Sequence, residues 1–170
     1  MYNYKIVEQV TRKKKAMSGI LRGIMIVFAV LFILFGIVFS RGFMLPGFLL
    51  VVLYFAFDAF SQKDYEYVLD NGIFSVDVIY GKRFRKAAHE LDLKELVTVA
   101  PNWHQAVAKY RNNGGSVRLP KYDYTSYEEN IPYYTMIVGE NGRQIKLLLD
   151  LTDEMLQALK RMYPEKVYLQ

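Results

Sequence analysis

The chain contains few side chains that could carry out catalysis or bind a metal. It has two histidines, His89 and His104, and no cysteine. Neither histidine has a second histidine three or four residues away, the spacing that many protein zinc sites use. Nucleophile and phosphate-loop motifs such as GxSxG, GxGxxG and the P-loop do not occur either. We therefore predict no catalytic residue, no metal site and no bound cofactor.

Two pairs of adjacent carboxylates are the remaining candidates for acid–base chemistry. Glu128-Glu129 lies in a stretch without regular periodicity. Asp153-Glu154 follows Thr152, a typical helix N-cap, and negative charge there stabilises the first helical turn. Neither pair indicates a reaction, and the expectation is a protein that is not an enzyme.

The basic side chains form two runs that could contact anionic lipid. Residues 63–170 carry equal numbers of acidic and basic side chains, so the net charge of +5 belongs to residues 1–62. A nucleic-acid-binding domain would concentrate positive charge on its folded part, and nucleic acid is therefore excluded as a partner. The second run, residues 82–86, could instead be a solvated strand face. The candidate lipid contacts are Arg12, Lys13, Lys14, Lys15, Lys82, Arg83, Arg85 and Lys86.

Aromatic side chains are unusually frequent in the segment 102–132. Tyrosine and tryptophan are favoured at protein interfaces and at membrane–water boundaries. The segment could instead fold back and cover a sheet with its rings. Because loops of this length are often functional, we predict contacts with a protein partner of unknown identity. The candidate contact residues are Trp103, Tyr110, Tyr122, Tyr124 and Tyr127.

Two uncharged apolar runs, residues 23–39 and 43–57, stand close together near the start of the chain. As a helix the first run would be about 26 Å long, close to the hydrocarbon thickness of about 30 Å. The rest of the chain is too small to cover two helices that are apolar on every side. We predict transmembrane helices over 16–39 and 43–60, joined by an extracytoplasmic turn at 40–42.

The distribution of lysine and arginine predicts the orientation of this pair. The N-terminal flank holds Lys5, the run 12–15 and Arg22, whereas the turn holds Arg41 alone. Cytoplasmic flanks carry the excess of basic residues, so both termini should be cytoplasmic in a two-span protein of the cell membrane. Gly19 and Gly23 form a GxxxG motif, which allows a helix contact between copies and hence a homo-oligomer.

Two hairpin signals predict an antiparallel sheet after the apolar runs. Asn71-Gly72 and Asn141-Gly142 are strong two-residue turn sequences. Around the first, Leu69 should face Phe74 on one apolar side of the sheet. Around the second, the predicted pairs are Val138 with Ile145, Met136 with Leu147, and Tyr134 with Leu149.

Weaker patterns complete the predicted domain. Residues 83–91 and 96–100 favour strands, and 102–132 forms a long tyrosine-rich loop. A final helix should begin after the N-cap Thr152 and end before Pro164.

The quoted segments resemble the pleckstrin-homology-like (PH-like) domains of small bacterial membrane proteins. The resemblance lies in 65–72 (YEYVLDNG), 81–86 (GKRFRK), 91–96 (LDLKEL) with Ala100-Pro101, and 7–10 (VEQV). It implies an α+β chain: a transmembrane helical hairpin, then an antiparallel PH-like β-barrel or curved sheet with a C-terminal helix. Residues 1–15 would be a basic cytoplasmic segment and 63–170 the cytoplasmic domain. The family is uncharacterised and has no catalytic motif to transfer.

Three functions are open on these grounds. The first is a non-enzymatic binding or scaffolding module that presents the domain to a protein partner at the cytoplasmic leaflet. The second is a module that responds to anionic lipid in the bilayer. The third, a membrane enzyme, has no nucleophile, base or metal set in the sequence.

Overall fold

A computed structural model describes residues 5–13 and 16–169 of the chain. In these residues the fold is α+β, with eight strands and three α-helices. The strands are β1 (Lys5–Thr11), β2 (Lys63–Asp70), β3 (Ile73–Tyr80), β4 (Phe84–Asp92), β5 (Leu96–Pro101), β6 (Lys121–Asp123), β7 (Tyr134–Glu140) and β8 (Arg143–Leu149). The helices are α1 (Ala16–Val38), α2 (Met44–Ser61) and α3 (Asp153–Met162).

The chain divides into two compact units. Of the described residues, the helical unit contains 13, 16–63 and the turn 80–84. The sheet unit contains the described residues 5–12, 64–79 and 85–169.

In the helical unit, α1 and α2 occupy the two apolar segments and are joined by the 3-10 turn Arg41–Phe43. Residues Ser18–Val38 and Arg41–Ser61 are long and apolar enough to cross a membrane, with mean hydropathies of 2.7 and 2.0. Only 11% and 6% of these spans are buried. The helices pack closely at Gly47, where a Cβ would lie 2.9 Å from Cγ1 of Ile33.

The first sheet of the sheet unit has the strand order β1-β2-β3-β4. The hairpin predicted at Asn71-Gly72 is present, and both turn residues have the positive φ angles, 48° and 85°, that such a turn requires. Its predicted apolar face is buried and includes Tyr67, Leu69 and Phe74.

Strand β1 extends the folded domain beyond the range given by sequence analysis. It pairs antiparallel with β2, from Lys5 opposite Asp70 to Thr11 opposite Asp64. Segment 1–15 was expected to be only a basic flank, because its inward positions include Glu8, which breaks the apolar alternation. The domain therefore begins before the helices and resumes after them.

The second sheet has the order β5-β7-β8-β6. Its β7–β8 pairing has the predicted register, with Tyr134 opposite Leu149 and Met136 opposite Leu147. Strand β6, however, runs parallel to β8, although an antiparallel sheet was expected throughout. This three-residue strand lies inside the segment 102–132, whose lack of periodicity hid it, as it hid the 3-10 helix Gln105–Tyr110.

Helix α3 follows its predicted N-cap. The Thr152 hydroxyl accepts a hydrogen bond from the backbone N–H of Met155 at 3.4 Å, and Met155, Leu156 and Leu159 are buried. After the helix, Val167 forms a parallel bridge with Val99 of β5. This tail occupies the outer edge of β5 in the second sheet.

Candidate functional site

The turn between β3 and β4 packs against the end of α2 within the helical unit. The backbone N–H of Gly81 donates a hydrogen bond to the carbonyl oxygen of Gln62 at 3.0 Å. Gly81 has a φ of +56°, and a Cβ there would collide with the carbonyl oxygen of Ala59. Phe84 stacks on Phe60 with their ring centroids 5.8 Å apart. The turn is therefore held at the end of an apolar helix by backbone and ring contacts.

Lys82 and Arg83 project from this turn and are exposed. The Phe84 ring beside them is 62% exposed, although it is large and apolar. Aromatic rings and long cationic side chains at the end of an apolar helix are the composition found at membrane–water boundaries. We call Lys82, Arg83 and Phe84 the interfacial turn.

The other predicted lipid contacts of this run lie on β4 in the sheet unit. Arg85 pairs with Glu66 at 2.6 Å and Asp77 at 3.5 Å, so its charge is compensated by the neighbouring strands. Lys86 is exposed. The run is therefore divided, with Lys82 and Arg83 on the turn and Arg85 on the sheet.

Arg12 is a structural residue of the sheet unit. Its Nε donates to the carbonyl oxygen of Thr125 at 3.0 Å, and its guanidinium pairs with the Asp123 carboxylate at 3.2 Å. The same group lies over the rings of Tyr65 and Tyr127, 4.7 and 4.2 Å from their centroids. These contacts hold the end of β1, so Arg12 is not available as the lipid contact that sequence analysis predicted.

The N-terminal basic run also contains Lys13, Lys14 and Lys15. Lys13 is exposed, one residue from the anchored Arg12. Lys14 and Lys15 lie outside the described residues. Of the predicted lipid contacts, Lys13, Lys82 and Arg83 therefore remain the exposed candidates in the helical unit.

An ion pair joins the two long helices. Arg22 of α1 contacts Asp58 of α2 at 2.6 Å and also donates to the Ser61 hydroxyl at 2.6 Å. This pair was not predicted from the sequence. A signal was available, since Arg22 and Asp58 lie at similar distances along the chain from the connecting turn and so meet in an antiparallel pair.

The predicted aromatic contacts fall into two groups. Tyr110 and Tyr124 are buried, and the Tyr124 ring packs edge-on against Tyr65 with centroids 5.2 Å apart. These two rings cover the core and cannot meet a partner. Trp103 is 62% exposed, and Tyr122 and Tyr127 are also exposed.

Both histidines have structural roles. His89 is buried, and its Nδ1 lies 2.8 Å from Oε1 of Glu140, with the rings of Tyr122 and Tyr124 against it. The Nδ1 of His104 accepts a hydrogen bond from the N–H of Ala106 at 3.1 Å and caps the 3-10 helix.

Glu8 connects β1 to the start of α3. Its carboxylate accepts hydrogen bonds from the hydroxyl and the backbone N–H of Thr152, the latter at 3.3 Å. Burial raises the pKa of Glu8 to about 6, although the Thr152 N–H acts in the opposite direction. This contact was not predicted because the two residues are far apart in the chain.

The two sheets with their C-terminal helix define a PH-like domain, here combined with a pair of apolar helices. A sequence profile for the family described as Bacterial PH-like domain (DUF6106) matches residues 5–169, and the chain belongs to that family. The match confirms the resemblance and the fold class, and it includes β1 and both long helices. No curated protein and no solved structure matches the chain significantly.

Proposed function

We propose that the chain is a non-enzymatic binding module tethered to the membrane, in which α1 and α2 span the bilayer and the PH-like domain meets a protein partner at the cytoplasmic leaflet. The observation that carries this proposal is the pairing of β1 with β2. β1 precedes the two helices and β2 follows them, and the strands pair along seven residue positions, from Lys5–Asp70 to Thr11–Asp64.

Two strands of one sheet must lie on the same side of a membrane. If the segment between them enters a membrane, it must therefore cross an even number of times, which supports two spans over one. The excess of lysine and arginine at the N-terminal flank over the single Arg41 of the turn supports the cytoplasm as that side.

The exposure of the helices supports a lipid environment. A core helix of a soluble protein would be mostly buried, whereas these spans are 11% and 6% buried. Their charged residues Arg22 and Asp58 pair with each other, which lowers the penalty of placing either one at the edge of the hydrocarbon. Tethering would also raise the effective concentration of the domain near a membrane-bound partner.

Cysteine labelling tests the topology directly, because the chain has no cysteine of its own. In intact cells, Ser40→Cys at the connecting turn should react with a membrane-impermeant maleimide. Asn71→Cys in the β2–β3 turn should react only after permeabilisation. Labelling of both positions in intact cells, or of Asn71→Cys alone, would contradict the two-span orientation.

In-cell photocrosslinking tests the partner. A photoreactive amino acid at Trp103 or Tyr127 should give discrete adducts with the same protein. At Asn141, an exposed residue of the β7–β8 turn, it should not. Identical adducts at all three positions, or none at any, would contradict a partner surface formed by the exposed aromatics.

A second candidate function, contact with anionic lipid, is favoured by the position of the interfacial turn. Lys82 and Arg83 are exposed beside the end of α2, where lipid phosphates would lie if α2 spans the bilayer. Each such charge is expected to contribute about 1 kcal/mol of attraction to an anionic surface.

Retained lipid provides the test for this candidate. The full chain, purified from mixed phosphatidylcholine and phosphatidylglycerol nanodiscs, should keep phosphatidylglycerol in native mass spectra, and less of it at high salt. The double variant Lys82→Gln/Arg83→Gln should keep fewer such lipids. The matched double variant Lys94→Gln/Arg143→Gln, at exposed positions elsewhere on the domain, should retain the wild-type number. Equal loss in both variants, or in neither, would exclude a specific role for the interfacial turn.

A further inference from the structure

A cavity of about 280 Å³ in the sheet unit lies between the 3-10 helix Gln105–Tyr110 and strands β6, β7 and β8. Three cationic side chains, from Arg111, Lys121 and Lys146, line it, and no described acidic residue does. This contrasts with the balanced charge of residues 63–170 as a whole. The fold therefore brings three basic side chains together at one cavity, although they do not form a run in the sequence.

Lys146 is the central cation of this cavity. The residue is only 5% exposed, and its ammonium group donates to the carbonyl oxygen of Tyr110 and to Oδ1 of Asn112, both at 2.7 Å. An ammonium group has three N–H donors, so these bonds leave one for a further acceptor. A buried charge without a compensating anion is unfavourable.

Lys121 adds a second positive charge next to the first. It is the Cα partner of Lys146 in the parallel pairing of β6 with β8, and like charges at facing positions destabilise a sheet. Burial and the charge of Lys121 together lower the pKa of Lys146. Asp123 is 3.9 Å from the Lys121 ammonium through Oδ2, but its Oδ1 is engaged by Arg12 at 3.2 Å.

Thr135 provides an independent observation. It lines the same cavity and is 3% exposed, and its hydroxyl oxygen has no hydrogen-bond partner among the described residues. Buried hydroxyl groups are nearly always bonded, and an exception calls for a missing partner. A ligand oxygen in the cavity would supply that partner.

We propose that this cavity binds a phosphate group carried by a small molecule or a lipid headgroup. A phosphate dianion offers enough acceptor oxygens to meet the free donor of Lys146, the Lys121 ammonium and the Thr135 hydroxyl together. Arg111 adds charge at the wall, where its Nε is fixed on the carbonyl oxygen of Asn102 at 3.1 Å. The cavity, at about 280 Å³, is slightly smaller than the usual lower limit for small-ligand sites, about 300 Å³, and leaves room for a small organic group beside the phosphate.

This site goes beyond the proposed tether and partner surface, and it depends on neither. It requires only the sheet unit, so failure of the topology or crosslinking tests would leave it standing. Conversely, absence of phosphate binding would leave the two-span arrangement untouched.

The test uses the full chain in phosphatidylcholine nanodiscs with inorganic phosphate as the probe. Phosphate should raise the thermal unfolding temperature relative to chloride at equal ionic strength, and should broaden the phosphorus NMR line in a saturable way. Lys121→Gln should weaken phosphate binding about fivefold to tenfold, which corresponds to roughly one charge-assisted hydrogen bond. Lys94→Gln, an exposed lysine outside the cavity, is its control.

The sharpest variant is Thr135→Val, because it removes a hydroxyl that has no bond to lose in the free protein. It should bind phosphate several-fold more weakly while its stability in chloride is unchanged or higher. The matched control is Thr98→Val, since Thr98 is also buried with an unpartnered hydroxyl but is not a lining residue of the cavity. Thr98→Val should bind phosphate as the wild type does.

A second experiment, with phosphatidic acid in the nanodiscs, distinguishes a lipid headgroup from a soluble phosphate ester as the natural ligand. Nanodiscs containing phosphatidic acid should stabilise the wild type but not Thr135→Val if the natural ligand is a lipid headgroup. A response to inorganic phosphate alone, with the same dependence on Thr135, indicates a soluble phosphate ester. The proposal is overturned if neither probe stabilises the protein, or if Thr135→Val and Lys121→Gln respond as the wild type does, the result expected for an adventitious ion only.

Discussion

The surface run of cations and the cavity cations are organised in opposite ways. Lys82, Arg83, Arg85 and Lys86 are close in sequence, but the fold spreads them over a turn and a strand, where they are exposed. Arg111, Lys121 and Lys146 are far apart in sequence and line one cavity.

The two groups should differ in how much each charged side chain contributes to the stability of the fold. Exposed cations are solvated and contribute little to stability, so the fold does not depend strongly on them. A buried cation has lost its water and must find partners inside the protein. Of the three cavity cations, Lys146 is the buried one, whereas Lys121 is exposed, so substitution of Lys146 should differ from substitutions in the surface run by its effect on unfolding.

The largest expected effect is that of Lys146→Met. The substitution keeps the length of the side chain but leaves the Tyr110 carbonyl and the Asn112 amide oxygen without their donor. We expect a loss of about 2–3 kcal/mol in the free energy of unfolding, measured by denaturant titration of the full chain in detergent. Lys86→Gln is the surface control, and equal losses in the two variants would remove the distinction between the groups.

A somewhat smaller effect should separate two neighbours in sequence. Arg12→Gln breaks the contacts with Thr125 and Asp123 and should destabilise the domain by about 1–2 kcal/mol. Lys13→Gln, at an exposed position, should change the unfolding free energy by less than about 0.5 kcal/mol. If the two variants have equal free energies of unfolding, Arg12 stabilises the domain no more than an exposed cation does.

Glu8 is a buried acidic residue, and it extends the comparison between buried and exposed charges to the negative sign. Its pKa is raised from 4.5 to about 6, so the folded protein holds this proton more tightly than the unfolded chain does. The stabilisation is fully present below about pH 4.5 and is lost as the pH rises through 6.

Glu8→Gln should therefore be more stable than the wild type at pH 8 and not at pH 4.5. The expected gain is about 1 kcal/mol, less than the whole shift implies because glutamine has one acceptor oxygen and cannot keep both hydrogen bonds from Thr152. Melting curves at the two pH values measure it, and Glu90→Gln, an exposed acid, is the control. A gain that is equal at both pH values would contradict the raised pKa.

The smallest effect is expected for Lys82→Gln/Arg83→Gln. The unfolding free energy should stay within about 0.5 kcal/mol of the wild type, because both side chains are exposed. Destabilisation by 2 kcal/mol would mean that the interfacial turn is held by these cations and not by Gly81 and the Phe60–Phe84 stack.

Local patterns were sufficient to predict most of the elements. The turn Asn141-Gly142 and the alternation beside it give the register of β7 with β8, which the structure confirms. Thr152 marks the start of α3, and uninterrupted apolar runs mark α1 and α2. In each case the signal lies within a few residues of the element that it predicts.

Features that need distant partners were not predictable in this way. β1 was missed because its inward face carries Glu8 and its partner strand follows the two long helices. Arg12 was read as part of a charged run, since nothing in its neighbours points to Asp123. Lys146 gave no signal, because its binding partners and its cavity come from a loop and two other strands.

The pairing of β1 with β2 has a consequence for the order of events during synthesis. β1 is synthesised before its partner, which appears only after both long helices have been made. The first sheet cannot be completed until the helical segment has been synthesised. Pairing of β1 with β2 then joins the two flanks of that segment. In the proposed two-span topology, maturation of the domain is coupled in time to insertion of the helices, and a chain whose helices inserted wrongly would keep an unpaired strand open to degradation.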